Sequence, residues 1–440
     1  MKNNGISKCI RFLALLAALC LCFTCLVSCK DEEKTEVKDP ILEAEDNAIP
    51  LSYYELLLSR IKGNLARNKF EVNSPDFWAE QIEGGDVSRE DYFNDYALDV
   101  CQSYLAAEMM FDEEKLKLSD EAVASIEEEI AFFIEYDGFG ETEKFNALMA
   151  KYGFDSESLK DAYILEAKYE TLLYYLYGGG SLIGDTVKEQ YYQENYYRFK
   201  QILVSNFYYE YERDSQGNII YFNTENGQPL YDSENGIFIY DENGNRVRDK
   251  YGNTVYYDSE GIILYDKANG LPSVVLDENG EGIMHYYSEE EMAERKTAAE
   301  EIVNTVNKGN YSAFEAKMPD WTIVEGSEES YPDGYYLSEL ESGGYEDYLV
   351  DILDALESME PGEMAVVESE YGYHVIMKYD LDSGKYSDSA YSEWFESFTD
   401  SLINKLFADR CEKYFDKMTV NEENLAKARS ITKIGTNYDY

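Results

Sequence analysis

The sequence predicts an α+β protein, with helices toward both ends, a small α/β domain between them, and a β-hairpin repeat set inside that domain. Three observations carry this. Apolar residues recur at helical spacing over residues 50–198 and again over 386–430. Short apolar, β-branched runs at "FKQILVS" (199–205), "MAVVES" (364–369) and "YHVIMKYD" (373–380) read as strands. Between the first run and the other two, residues 207–288 carry turn signals at a short, nearly fixed period.

The chain opens on Lys2, Lys8 and Arg11, then the apolar run "FLALLAALCLCFTCLV" (12–27). That run is short for a comfortable membrane span and lacks a stop-transfer flank, so residues 1–28 read as a secretory signal. Leu26, Val27 and Ser28 lead directly into Cys29, an order that resembles the lipobox of bacterial lipoproteins. The resemblance implies that Cys29 carries a lipid and becomes the new N-terminus. The protein is then expected on the extracytoplasmic face of the bacterial membrane. Residues 29–49, beginning "CKDEEKTEVKDP", read as an acidic tether.

Composition limits the partners. The formal net charge is −51, and removal of 1–28 takes away three more positive charges. Nucleic acid is therefore not expected as a partner, and basic adhesion to anionic lipid is not expected either. With 44% hydrophobic and 15% aromatic residues the chain can still build cores. Five of the seven cysteines fall in the first 29 residues, leaving Cys101 and Cys411. Two cysteines make no disulfide framework and no four-thiolate zinc site. They are expected as two buried thiols or as one bridge.

Residues 50–198 read as a helical domain. Ser52 with Glu55 has capping-box spacing, and Ser119 precedes another apolar-periodic run. Residues 207–288 repeat "YDSENG" (231–236), "YDENGN" (240–245), "YDSEG" (257–261) and "YDKANG" (265–270), with "IFIY", "TVYY" and "IILY" interspersed. This is strand–turn–strand, a meander or a stack of hairpins. It resembles the YD-type repeats of bacterial surface proteins. The clustered Asp and Asn lack the ordered spacing of a calcium loop, so turn chemistry is expected rather than a metal site. Residues 386–430 read as one long helix or a pair, and 431–440 as a loose tail.

Strand, helix, short helix, helix, strand, Gly-Tyr-His, strand is an order that resembles the parvulin-type peptidyl-prolyl isomerases. "FKQILVS", "AAEEIVNTVNKGNYSAF" (298–314) and "PGEMAVVESEYGYHVIMKYD" (361–380) carry the likeness. The flanking helices resemble those of the secretion foldases PrsA and SurA. The resemblance implies that residues 50–198 and 386–430 pack together as a chaperone domain. It further implies that 199–206 with 289–385 form an inserted parvulin-like domain, interrupted by the repeat at 207–288. It implies a polar floor of two histidines with a supporting hydroxyl and a Cys or Asp. Here the first histidine position holds Gln201, the second matches His374, and Ser369 matches the hydroxyl. Asp320 is the nearest residue to the Cys/Asp position. Tyr348, Leu349, Ile352 and Leu353 occupy the region that walls the proline pocket in the family. Such chemistry needs neither nucleophile nor metal nor other cofactor.

Three functions are open at this level. One is a lipid-anchored foldase with prolyl isomerase activity toward unfolded or partly folded secreted proteins. Another is a non-catalytic holdase on the same frame. The third is a surface adhesion or scaffold protein acting through its repeats.

Overall fold

The computed structural model describes residues 37–82, 86–318, 321 and 332–440. The expected signal segment, Cys29 and Asp320 lie outside these residues. In chain order the elements are β1 (Pro40–Ala44), β2 (Asn47–Pro50), α1 (Leu51–Arg67), α2 (Pro75–Ala79), α3 (Arg89–Glu113), α4 (Asp120–Tyr136), α5 (Thr142–Met149), α6 (Ser156–Tyr177), α7 (Asp185–Asn195) and β3 (Tyr196–Ser205). The repeat contributes β4 (Phe207–Tyr209), β5 (Tyr221–Phe222), β6 (Ile237–Phe238), β7 (Tyr256–Tyr257), β8 (Leu271–Pro272) and β9 (Met284–Tyr286). Then follow α8 (Glu289–Thr305), α9 (Tyr311–Glu315), β10 (Tyr335–Ser338), α10 (Asp347–Ser358), β11 (Met364–Ser369), β12 (Gly372–Tyr379), α11 (Phe398–Phe415), β13 (Thr419–Val420) and α12 (Glu422–Leu425). The chain divides into two compact units. One holds the described residues up to Asn195 with Ser338–Tyr345 and Ser383–Tyr440; the other holds Tyr196–Leu337 and Glu346–Asp382.

The first unit is helical and is built from both ends of the chain. Its core joins Ile41, Leu42 and Ile49 to Tyr53, Leu56, Trp78, Phe93, Leu105 and Phe145, and to Ile431 and Ile434. Two expectations are corrected here. Residues 40–49 are not tether: β1 lies between β2 and β13 in a three-stranded sheet, and Ile41, Leu42 and Ile49 are fully buried. The charged run before Pro40 concealed a short apolar hairpin. Residues 431–440 are not a loose tail either. The Tyr440 ring sits 4.9 Å from that of Phe133 and 6.0 Å from those of Phe145 and Phe154. The Lys62 ammonium donates to the carbonyls of Thr432 and Ile434. Asn437 approaches α1 so closely that a Cβ on Gly63 would fall 1.5 Å from its carbonyl oxygen. The polar composition of the tail hid three or four anchoring side chains.

Helix starts follow local chemistry in most places. Ser88 and Ser119 accept from the N–H groups of Asp91 and Ala122, and Asp155 forms a capping box with Ser158. The box expected at Ser52 does not form; α1 starts from Pro50 without a side-chain cap. Glu55 is turned instead to Arg429, accepting from its backbone N–H at 2.7 Å and from its guanidinium at 2.8 Å. Cys101 and Cys411 are free thiols, both buried in helices. No helix among the described residues is long and apolar enough to cross a membrane.

The second unit centres on a four-stranded sheet in the order β10-β3-β12-β11. β3 and β12 are antiparallel neighbours from Arg198↔Tyr379 to Ser205↔Gly372, although the repeat separates them in sequence. β11 and β12 form a hairpin. Alternation along the strands gives the sheet two faces. Ile202, Val204, Val375, Met377 and Tyr379 pack on Ala299, Ile302, Val306 and Phe314 of α8 and its successors. The opposite face, carrying Gln201 and His374, meets α10. Gly372 has φ +131°, and a Cβ there would stand 2.4 Å from the Val204 carbonyl, so only glycine lets β12 begin so close to β3.

The repeat folds back on itself rather than running as a simple meander. Phe207 pairs with Tyr286, Tyr221 with Pro272, and Ile237 with Tyr257, so outgoing and returning limbs form nested rungs. Small hairpins branch from them at Arg213↔Ile219, Tyr240↔Arg246, Arg248↔Thr254, Tyr257↔Ile263 and Leu276↔Gly282. The local period set the hairpins; the long-range pairing left no periodic trace in the sequence. The turn aspartates are occupied by their own backbone. Oδ1 of Asp214, Asp241, Asp249, Asp258 and Asp277 each accepts from the N–H groups two and four residues on.

Candidate functional site

Residues brought together by β3, β11 and β12 form a continuous hydrogen-bonded chain. His374 lies opposite Leu203 in the β3–β12 register and shares a face with Gln201, two residues back along β3. Its Nδ1–H donates to Gln201 Oε1 at 2.8 Å. Its Nε2 accepts from Ser369 Oγ–H at 2.7 Å. Ser369 Oγ accepts in turn from the Tyr371 N–H at 3.1 Å, across the turn joining β11 to β12. Gln201 Oε1 can only accept, so a proton sits on Nδ1, and in the neutral ring this leaves Nε2 to accept from Ser369. Burial enforces that state: His374 is 2% exposed, and desolvation lowers its pKa to about 4.

The chain is roofed by aromatic rings. Tyr348, from the first turn of α10, stacks on the His374 imidazole at 5.2 Å and 13°. Tyr371 meets Tyr348 edge-on at 5.4 Å. Burial raises the Tyr348 hydroxyl to about 12, so it stays protonated.

Of the sequence-predicted residues, Gln201, His374, Ser369 and Tyr348 are in one place. Leu349, Ile352 and Leu353 lie on the same helix, α10, as Tyr348. They are 9%, 0% and 1% exposed, on the side of α10 that packs onto the domain interior. Asp320 lies outside the described residues. Pro361-Gly362-Glu363 serves structure, with the Gly362 N–H bonded to the Lys378 carbonyl and Glu363 capping the Glu360 N–H. His285 is a strand residue of β9 whose Nε2 faces Glu210 at 3.2 Å. Sequence reasoning missed Tyr371. The two-residue turn between Ser369 and Gly372 was the available signal, since a turn that short aims its backbone N–H at the preceding hydroxyl.

No family model and no curated protein matches the chain. Among solved structures it is similar to PrsA from Bacillus subtilis, at 17% identity over 76% of this chain and 90% of that one, with a TM-score of 0.19. It is also similar to the peptidylprolyl isomerase PrsA from Bacillus cereus, at 14% identity over 80% and 97%, TM-score 0.23. A third is the foldase protein PrsA from Lactococcus lactis, at 9% identity over 90% and 99%, TM-score 0.18. Likeness at this level adds no weight to an assignment of activity, which has to come from the residues themselves.

Proposed function

We propose that this chain is an exported foldase. It chaperones unfolded secreted polypeptides from the extracytoplasmic face of the membrane, held there by a lipid on Cys29, and its small sheet domain is a parvulin-type prolyl-peptide site. The observation that carries the reading is the bond between Gln201 and His374 on adjacent strands, closed by Ser369. It is a polar floor of the kind that resemblance to the parvulins implies, with an amide at the first position.

X–Pro rotation must cross a barrier of about 18–20 kcal/mol in which amide conjugation is lost. A floor that favours the twisted amide over the planar one lowers this barrier without covalent chemistry. Gln201 spends its oxygen on His374, so its NH2 is the group that donates to the twisting prolyl amide. Neutral His374 and Ser369 hold that carboxamide in one orientation. Replacing an imidazole by a carboxamide keeps donor and acceptor but changes their angle, so the expected activity is low. A protease-coupled prolyl-peptide assay on the full chain tests this. A rate above the thermal one, falling roughly tenfold on His374→Ala, is expected, with Gln201→His raising it. No rate above background in either the parent or Gln201→His would remove isomerisation.

Burial of Leu349, Ile352 and Leu353 favours a second reading, in which the sheet domain binds or merely braces and the protein acts as a holdase. Suppression of client aggregation without prolyl turnover is its signature.

A further inference from the structure

The sheet domain carries an arm that the prolyl reading does not use. Residues 207–288 contain fifteen Asp and Glu against five Arg and Lys. All five cations are engaged within the arm. Arg213 and Arg248 donate to the carbonyls of Gly217 and Gly252 in their own hairpins. Arg246 lies 3.9 Å over Phe238, Lys250 lies 4.8 Å over Tyr251, and Lys267 lies 6.0 Å over Tyr221. The Asn235 side chain, with backbone N–H groups, lowers the pKa of Asp232, and backbone N–H groups lower that of Asp277. Exposed apolar side chains are interspersed with this negative surface, among them Ile237, Tyr240, Leu276 and Tyr286.

At the base of the arm a cleft of about 630 Å³ is lined by Tyr208, Tyr211 and Tyr287 and by Glu210, Glu212 and Glu291, with Arg213 at its edge. Arg295 already lies 4.1 Å over the Tyr287 ring, and the Tyr208 and Tyr211 rings beside Glu210 and Glu212 suit a further cation. This base is tied to the turn that carries Ser369 and Tyr371: the Asn206 N–H donates to the Tyr371 carbonyl at 2.8 Å, its carboxamide to the Glu370 carbonyl, and the Tyr287 N–H to the Asn206 carbonyl.

We infer that the arm is a docking surface for basic, extended segments of client polypeptides, whose Lys and Arg side chains seat in the Tyr/Glu cleft beside the prolyl site. Charge complementarity selects this occupant over an acidic or neutral chain. The inference rests on the foldase reading for what the client is, but not for its charge.

The test uses the full chain and two unstructured prolyl peptides of equal length and apolar content, one rich in Lys and Arg, the other in Asp and Glu. Tighter binding of the basic peptide by about tenfold or more is expected, with loss of most of that difference on Glu210→Lys and in high salt. Glu242→Lys, at a turn tip, gives a second measure should Glu210→Lys disturb the base. Equal affinity for both peptides would overturn the inference, as would a preference unmoved by salt and by both variants. Self-association through the arm, seen by sedimentation and abolished by the same variants, would overturn it in favour of a second copy. Aggregation suppression and prolyl turnover of a neutral client, measured on the same samples, report on the foldase reading alone. Their absence leaves charge selection standing, and their presence does not create it.

Discussion

The helical unit and the β-arm are stabilised in opposite ways. The helical unit buries whole side chains from both ends of the chain, with Ile41, Leu42, Trp78, Phe93, Phe145 and Ile431 at 2% exposure or less. In the arm the buried residues are three, Val255, Tyr265 and Ser273, and none is fully enclosed. Its order comes from rungs of backbone hydrogen bonds and from aspartates that close their own turns. Apolar burial is worth about 25 cal/mol per Å² and accumulates over a shared core. A turn hydrogen bond is worth about 1 kcal/mol and acts within a few residues. The helical unit should therefore fail cooperatively, and the arm hairpin by hairpin.

The largest effect expected is in the helical unit. Ile434→Ala should cost about 2–4 kcal/mol in urea unfolding, because a fully packed site is emptied. Gly63→Ala should be worse still, since its Cβ would collide with backbone rather than with a side chain that can swing away. A change of under 0.5 kcal/mol at Ile434 would return the last ten residues to the status of a tail.

The next effect belongs to the sheet domain. His374 has its pKa depressed in the folded protein, from an ordinary value of 6.5 to about 4. Between those values the unfolded chain binds the proton and the folded chain does not. Stability from this group is therefore complete above pH 6.5 and is lost progressively as pH falls toward 4. The loss amounts to about 3 kcal/mol. The pH dependence of unfolding in His374→Gln should be flatter than in the parent over that window, and identical slopes would show that His374 titrates freely.

The smallest effect is in the arm. Asp258→Ala removes the acceptor for the Glu260 and Ile262 N–H groups. It should speed amide exchange in that hairpin by about five- to tenfold, equivalent to about 1 kcal/mol, and leave the helical unit untouched. Slower exchange nowhere and faster exchange everywhere would mean that the arm has a cooperative core after all.

Legibility in the sequence followed the range of the interactions. Ser119, the Ser369-to-His374 spacing and the strand at Phe199 were readable because each is fixed by neighbours within a turn or a strand. The capping box at Ser52 was misread because Glu55 is taken by Arg429, 374 residues away. Residues 40–49 and 431–440 were misread for the same reason: short apolar groups inside charged or polar stretches acquire meaning only from a partner at the other end of the chain. Leu349, Ile352 and Leu353 fall on α10 with Tyr348, and all three are buried. Periodicity gives a stripe of apolar residues, and only packing decides whether that stripe meets a ligand or the protein interior.

The three-stranded sheet in which Pro40–Ala44 sits between Asn47–Pro50 and Thr419–Val420 has a consequence for biosynthesis. A polypeptide delivered N-terminus first must wait for nearly its entire length before that central strand gains its second neighbour. Contacts of such separation close slowly. During the delay the edge of Pro40–Ala44 that takes Thr419–Val420 stays unpaired and open to other chains. A product halted before Thr419 would lack that neighbour altogether, and the core side chains Ile431 and Ile434 with it.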